Sequence, residues 1–350
     1  MQDLWVWRSY RQLFATGNLP ELGVIGVHVN SCVEGEMSDD SAPAPPGRVA
    51  ACSTWFHVGG VSVRVVGEHS ADLNLDATLQ PFRVESRGCD IEIRVRWVGK
   101  LPQSRQRQLF DSGCVWKLYE SGGGFQFDFG TAGLGGVPYK RLLVDGRFRS
   151  ASLLLSRESF GNREPAIPLE YPLDELLIMH RLTQERAIEL HGVGIVGPDG
   201  ASNLFVGHSG AGKSTTARLW TSLHEIKILS DDRIIVREDK VREYPLREHA
   251  NQIFMYGTPW HGEAHFALPE RAPLQRIFVL EHGHGNVITR LSPSHAVGEL
   301  FARSFVPFHR HEYVDSALSF LEHVADSVPC YRYSFEPDER AVERVLNFRE

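Results

Sequence analysis

The alternation of apolar and polar positions changes character about halfway along the chain. In the first half, Ile91-Glu92-Ile93-Arg94-Val95-Arg96-Trp97 puts every second side chain on one face, the period of a half-buried strand. Phe125-Gln126-Phe127-Asp128-Phe129 repeats the pattern, and Val115 to Tyr119 precedes it across the turn Ser121-Gly122-Gly123-Gly124. Val61 to Val66 is a further strand. Leu142-Leu143-Val144, Asp145-Gly146 and Arg147-Phe148-Arg149 predict a hairpin, because Asp-Gly suits a type I′ turn. Residues 36–47 have no period and are rich in proline and small residues, which predicts an exposed loop. These signals predict a β-rich domain over residues 1–168. It would pack on the second half or on a partner, or recognise a substrate.

From residue 169 onward the pattern alternates between helix and strand, which predicts an α/β domain over 169–350. Pro172 to Gln184 reads as a helix, with Asp174 and Glu175 in the first turn where the dipole favours acids. Ala187 to Val196 reads as a strand, and Gly197-Pro198-Asp199-Gly200 as a turn. Asn203 to Val206 is the next strand and runs directly into Gly207; Ser214 to Ser222 follows as a helix. From Ile226 an apolar strand is predicted that ends in the acids Asp231-Asp232, within the run Ile226 to Val236, and a further strand from Ile277 to Leu280. Ser292-Pro293 starts a helix whose spacing extends to Phe305. A second helix runs through Val314 and Leu321 until Pro329, a strand covers Tyr331 to Phe335, and Asp338 caps a last helix.

Composition narrows the partners. The chain has 350 residues, 42% hydrophobic and 23% charged, enough for two full cores. A net charge of -7 with no long basic run argues against nucleic acid as a partner. No apolar run is long enough for a membrane helix, and Met1 to Arg11 lacks the apolar core of a signal peptide. The five cysteines form no C-x-x-C pair. A cytoplasmic location is therefore expected.

The densest chemistry lies at Gly207-His208-Ser209-Gly210-Ala211-Gly212-Lys213-Ser214-Thr215, which has the form G-x-x-x-x-G-K-[ST]. Small residues let successive N–H groups turn inward around phosphates, the lysine supplies a cation and the next hydroxyl can hold Mg²⁺. All nine residues are candidate nucleotide contacts. Asp231-Asp232, at the end of the next strand, are where a Mg²⁺ carboxylate and a proton acceptor belong. The glycine-flanked run Tyr256-Gly257-Thr258-Pro259-Trp260-His261-Gly262-Glu263 offers Thr258, His261 and Glu263 as polar groups. Glu263 is a further candidate metal ligand, with Ser214 and Asp232; the alternative is a turn around a packed tryptophan.

The set His191-Gly192, Gly207 through Ser214 and Asp231-Asp232-Arg233 resembles the catalytic domain of HPr kinase/phosphorylase, itself akin to the phosphoenolpyruvate carboxykinases. The resemblance covers residues 187–236. It implies an HPr-kinase/carboxykinase-like P-loop domain, with ATP and Mg²⁺ as cofactors and γ-phosphate transfer to a serine hydroxyl. Lys213 would bind phosphate, Asp231 would act as base, Asp232 would assist with metal or proton, and His191 would tune that chemistry. The glycine-rich signature that the bacterial bifunctional enzyme carries later is absent, and the run from Tyr256 is similar to that of kinase-related proteins of peptide-modification cassettes. The expected partners are a nucleotide and a protein or ribosomal-peptide substrate, with a homo-oligomer as a further arrangement. A small-molecule or carboxykinase-like phosphotransferase, and a non-catalytic ATP-binding accessory protein, are the alternatives.

Overall fold

The computed structural model describes residues 52–86, 88–130, 137–161, 167–242 and 249–349; the loop expected at 36–47 lies outside them. The architecture is mixed α/β and dominated by strands. Strands β1 (Cys52–Val58), β2 (Val61–Gly67), β3 (Ile91–Val98), β4 (Gln108–Asp111), β5 (Trp116–Ser121), β6 (Gly124–Gly130), β7 (Pro138–Asp145) and β8 (Ser150–Ser156) form one eight-stranded sheet in the order β1-β2-β3-β8-β7-β6-β5-β4. The period-two pattern decides its buried face. Ile91, Ile93 and Val95 point inward with Phe125, Phe127, Phe129, Leu142, Leu153 and Leu155, and the helix Leu173–Leu182 packs into the same core. On the opposite face of β6, Asp128 is buried too, and Arg141 grips both of its oxygens at 2.6 and 2.7 Å.

The hairpin expected at Asp145-Gly146 is longer than its sequence signal. Strand β8 begins only at Ser150, so Arg147, Phe148 and Arg149 belong to the turn. The Asp145 carboxylate accepts the amides of Arg147 (2.7 Å) and Arg149 (3.0 Å). Phe148 takes a left-handed φ of 53° and is fully buried, with its ring 5.3 Å from that of Phe125. Burial of one aromatic ring outweighs the local preference for a two-residue turn.

The second, ten-stranded sheet holds β9 (Ala187–Val196), β10 (Ser202–Val206), β11 (Lys227–Ser230), β12 (Arg233–Arg242), β13 (His249–Gly257), β14 (Arg271–Pro273), β15 (Arg276–His282), β16 (Val287–Arg290), β17 (Ser304–Phe305) and β18 (Cys330–Phe335). Its main path runs β14-β13-β12-β9-β10-β15-β18-β16, with β11 and β17 also paired to β9. Alternate residues of β10 serve opposite faces. Leu204 and Val206 pack with the helices Pro293–Phe301 and His311–Ser327, whereas Phe205 packs with Lys213–Trp220 and Glu339–Leu346. Phe305, placed by spacing on a helix, instead belongs to the short strand β17, because the helix ends at Phe301. Ile235, Phe254, Tyr256, Trp260 and Phe305 share one apolar cluster with the first sheet, so a single core joins the two halves. Among the described residues, no helix is long and apolar enough to cross a membrane.

Two histidines are sealed into that junction. His180 donates from Nδ1 to the Leu176 carbonyl at 2.6 Å and stacks on Phe148, with ring centroids 4.9 Å apart. The ring of His309 lies 5.3 Å from that of His180. Burial pushes His180 down to about 4; burial, with the neighbouring His180 and Arg310, pushes His309 down to about 2. Both are therefore neutral in the folded chain, while an unfolded histidine titrates near pH ~6.5. The unfolded chain takes up protons that the folded chain refuses, so this contribution is whole above pH ~6.5 and is lost as pH falls toward the folded values. Thermal denaturation should show stability falling between pH 7 and 5, with His180→Phe reducing the fall by about 2 kcal/mol. An unchanged slope in that variant would contradict the assignment.

Candidate functional site

The backbone of His191 and Gly192 gathers the site. Along its first half β9 pairs with β12, from Ala187 to His191; along its second half it pairs with β11, from Gly194 to Val196. The ladder breaks between them, and there the Gly192 amide donates to the Asp232 carbonyl at 3.0 Å. The His191 carbonyl accepts the Gly207 amide at 3.3 Å, and the His191 amide donates to the Arg303 carbonyl at 2.8 Å. The acidic turn, the start of the glycine-rich loop and the approach to β17 are thus tied to two consecutive residues. A Cβ on Gly192 would lie 2.9 Å from the Phe205 carbonyl oxygen, so only glycine lets the strands approach this closely. The strand expected to end at the acids is β11, which stops at Ser230; Asp231-Asp232 lie in the break, before β12 begins at Arg233.

From β10 the chain enters the loop at Gly207 and leaves it as the helix Lys213–Trp220. Gly210 and Gly212 adopt left-handed φ values of 82° and 97°, and a Cβ on Gly212 would sit 2.4 Å from the Phe335 ring. The Lys213 ammonium, on a side chain only 6% exposed, donates to the Gly207 and His208 carbonyls, each at 3.1 Å. His282 donates from Nε2 to the Gly210 carbonyl at 2.6 Å. Strand, glycine-rich turn and helix start therefore present amides and a lysine to one space.

The two aspartates divide in a way their adjacency does not reveal. Asp231 is fully buried, and its carboxylate accepts the amides of Gly262 (3.0 Å), Ala264 (2.8 Å) and Phe266 (3.1 Å). Asp231, expected as a base, is instead the anchor of the 259–266 segment, because three of its roughly four acceptor positions are taken by backbone. Asp232 faces the cleft. Its Oδ1 accepts a hydrogen bond from His191 Nε2 at 2.7 Å, and its Oδ2 accepts one from Arg233. Burial alone would raise the Asp232 carboxyl, but the Arg233 charge, the His191 hydrogen bond and Lys213 outweigh it and hold the group well below the usual carboxylate range. Burial pushes His191 down to about 4 despite that bond, so the ring is neutral, with its proton on Nε2 and its lone pair on Nδ1.

Arg233 is the hub behind this pair. Its side chain is almost wholly buried and lies 4.2 Å over the Phe305 ring. It donates from Nε to Glu175 Oε1 at 2.8 Å and sits 3.5 Å from Glu189. Burial, and then the nearby Glu175 carboxylate, push the Glu189 carboxyl well above the usual carboxylate range. Trp260 donates from Nε1 to Asp174 Oδ2 at 2.9 Å. The first turn of one helix therefore supports both the acidic turn and the 259–266 segment.

A cleft of about 420 Å³ is lined by His191, Ser209, Gly210, Gly212, Lys213, Ser214, Thr215, Asp232 and Glu263. Of the other expected residues, Gly207, His208, Ala211 and Asp231 do not line it. Thr258 is turned away and donates to the Arg233 carbonyl at 2.7 Å. Arg218, Arg233, His282 and Phe305 line the cleft without having been expected there. Helical spacing could have found Arg218, four residues after Ser214 on the same face. His282 could have been found from its place at the end of the strand parallel to β10. Among the described residues, no group of three or more His, Cys, Asp or Glu side chains gathers as a metal site. No protein-family model matches the chain, and no curated protein matches it.

The role of Asp231 is open to a direct check. Asp231→Ala should cost about 2 kcal/mol of stability in urea denaturation, because it removes a fully buried carboxylate that accepts three part-buried amides. A loss below about 0.5 kcal/mol, typical of a surface change, would contradict the anchoring role.

Proposed function

We propose that this chain is an ATP- and Mg²⁺-dependent kinase that transfers the γ-phosphoryl group to a hydroxyl, a serine of a protein or ribosomal peptide. One observation carries the reading: His191, residues of the loop and helix start (Ser209, Gly210 and Gly212 to Thr215), and Asp232 converge on one cleft although they come from three separate elements. The cleft offers what phosphoryl transfer requires, which is positioning and neutralisation of charge. The resemblance to HPr kinase/phosphorylase supports the same chemistry, with an HPr-kinase/carboxykinase-like P-loop domain as its scaffold.

In this reading the amides of the loop and the Lys213 ammonium hold the phosphates. The donors for Mg²⁺ fit a hard cation. The Ser214 hydroxyl and the Asp232 carboxylate line one space, and each Asp232 oxygen retains a lone pair beside its existing hydrogen bond. Mg²⁺, when bound, neutralises phosphate charge. The acceptor oxygen forms its bond to the γ-phosphorus while the bond to the β,γ-bridging oxygen breaks and ADP departs. The hydroxyl proton passes to the Asp232–His191 pair, a role moved here from Asp231. Arg233 keeps Asp232 ionised and oriented; it positions rather than reacts.

Isothermal titration should show binding of MgATP to the wild-type protein, and Lys213→Ala should weaken it by about 100-fold or more. Asp232→Asn should keep measurable ATP binding but lose phosphate transfer to peptides encoded by neighbouring genes, followed by mass spectrometry. Full transfer by either variant would overturn the reading. ATP binding without transfer to any hydroxyl would point to an accessory protein instead.

A further inference from the structure

We infer that Arg218 is a second phosphate-binding cation of the cleft, and that Glu263 is the carboxylate it leaves when a phosphate chain enters. The inference rests on the nucleotide reading above and adds a residue that neither the loop motif nor the resemblance assigns. Arg218 lies on the helix Lys213–Trp220 and lines the cleft together with Lys213 and Ser214. The two cations sit at different depths: Lys213 is buried against the loop carbonyls, while the Arg218 side chain is 60% exposed. Arg218 Nη2 stands 3.9 Å from Glu263 Oε2, and the Glu263 side chain is 80% exposed. A pair this open and this long is weakly held, so a polyanion competes well for the guanidinium.

The pair is asymmetric. Glu263 sits between Gly262 and Ala264, whose amides are both fixed by the buried Asp231 carboxylate. Its backbone therefore cannot follow Arg218 inward. The arginine has a long, solvent-exposed side chain and is the partner free to move. Phosphate entering the cleft takes over the guanidinium, and Glu263, its main chain held in place, stays at the mouth as a negative charge that ATP must pass. Arg218 thus adds affinity for phosphates, and Glu263 subtracts from it.

Titration of ATP in EDTA, with no divalent cation present, separates these effects. Arg218→Ala should weaken ATP binding about tenfold and flatten its salt dependence, whereas Arg218→Lys should stay within about threefold. Glu263→Gln should tighten binding by up to about fivefold, with a smaller gain in the Arg218→Ala background. Unchanged melting temperatures in both variants would exclude a folding defect at these exposed positions. Arg218→Ala binding ATP as well as wild type, or Glu263→Gln binding it more weakly, would overturn this inference alone. A wild-type protein that takes up no ATP would overturn the nucleotide reading beneath it.

Discussion

The site depends on one strand changing its neighbours. Strand β9 exchanges β12 for β11 at Gly192, and the gap in the ladder is where Asp232 emerges. Because the main chain of His191 and Gly192 bonds to Gly207, Asp232 and Arg303 together, three distant segments of sequence have little freedom to separate. Main-chain hydrogen bonds to a central strand fix the positions of the loop and the acidic turn that line the cleft. Preorganisation of this kind is what charge stabilisation needs, since groups already in place cost no reorganisation when charge develops.

Behind that floor lies a buried charge cluster whose members cannot be considered singly. Arg233 serves Asp232 and Glu175 by hydrogen bonds, lies close to Glu189, and rests on Phe305. A buried arginine left without carboxylates would be strongly destabilising, and carboxylates left without it equally so. Burial and the neighbouring Glu175 both favour the uncharged form of Glu189, which opposes the build-up of negative charge there. The cluster also joins the halves of the chain, because Glu175 and Asp174 come from a helix seated in the core of the first sheet. The first sheet is therefore mechanically linked to both walls of the cleft.

Much of this was legible in the residues, and the losses have physical causes. The helix Leu173–Leu182 and the strands β9 and β10 announce themselves by period and by caps or turns. The glycine-rich loop is visible because φ values such as that of Gly212 leave a plain compositional trace. Asp231 and Asp232 look alike in sequence, and only the amides of a segment thirty residues later separate an anchor from a cleft residue. Phe148 and Phe305 were misplaced because long-range burial overrode local pattern. Glu189 and Arg233 act through contacts that alternate pattern cannot show, and Arg218 becomes a cleft residue only when the loop and helix are seen together.

A structure of the full chain with a non-hydrolysable ATP analogue and Mg²⁺ would test nucleotide binding at this cleft. Phosphates should lie within hydrogen-bond distance of the amides between Ser209 and Ser214 and of Lys213 Nζ, with Asp232 facing the terminal phosphate. Phosphates bound away from that loop, or an analogue that does not bind at millimolar concentration, would contradict it.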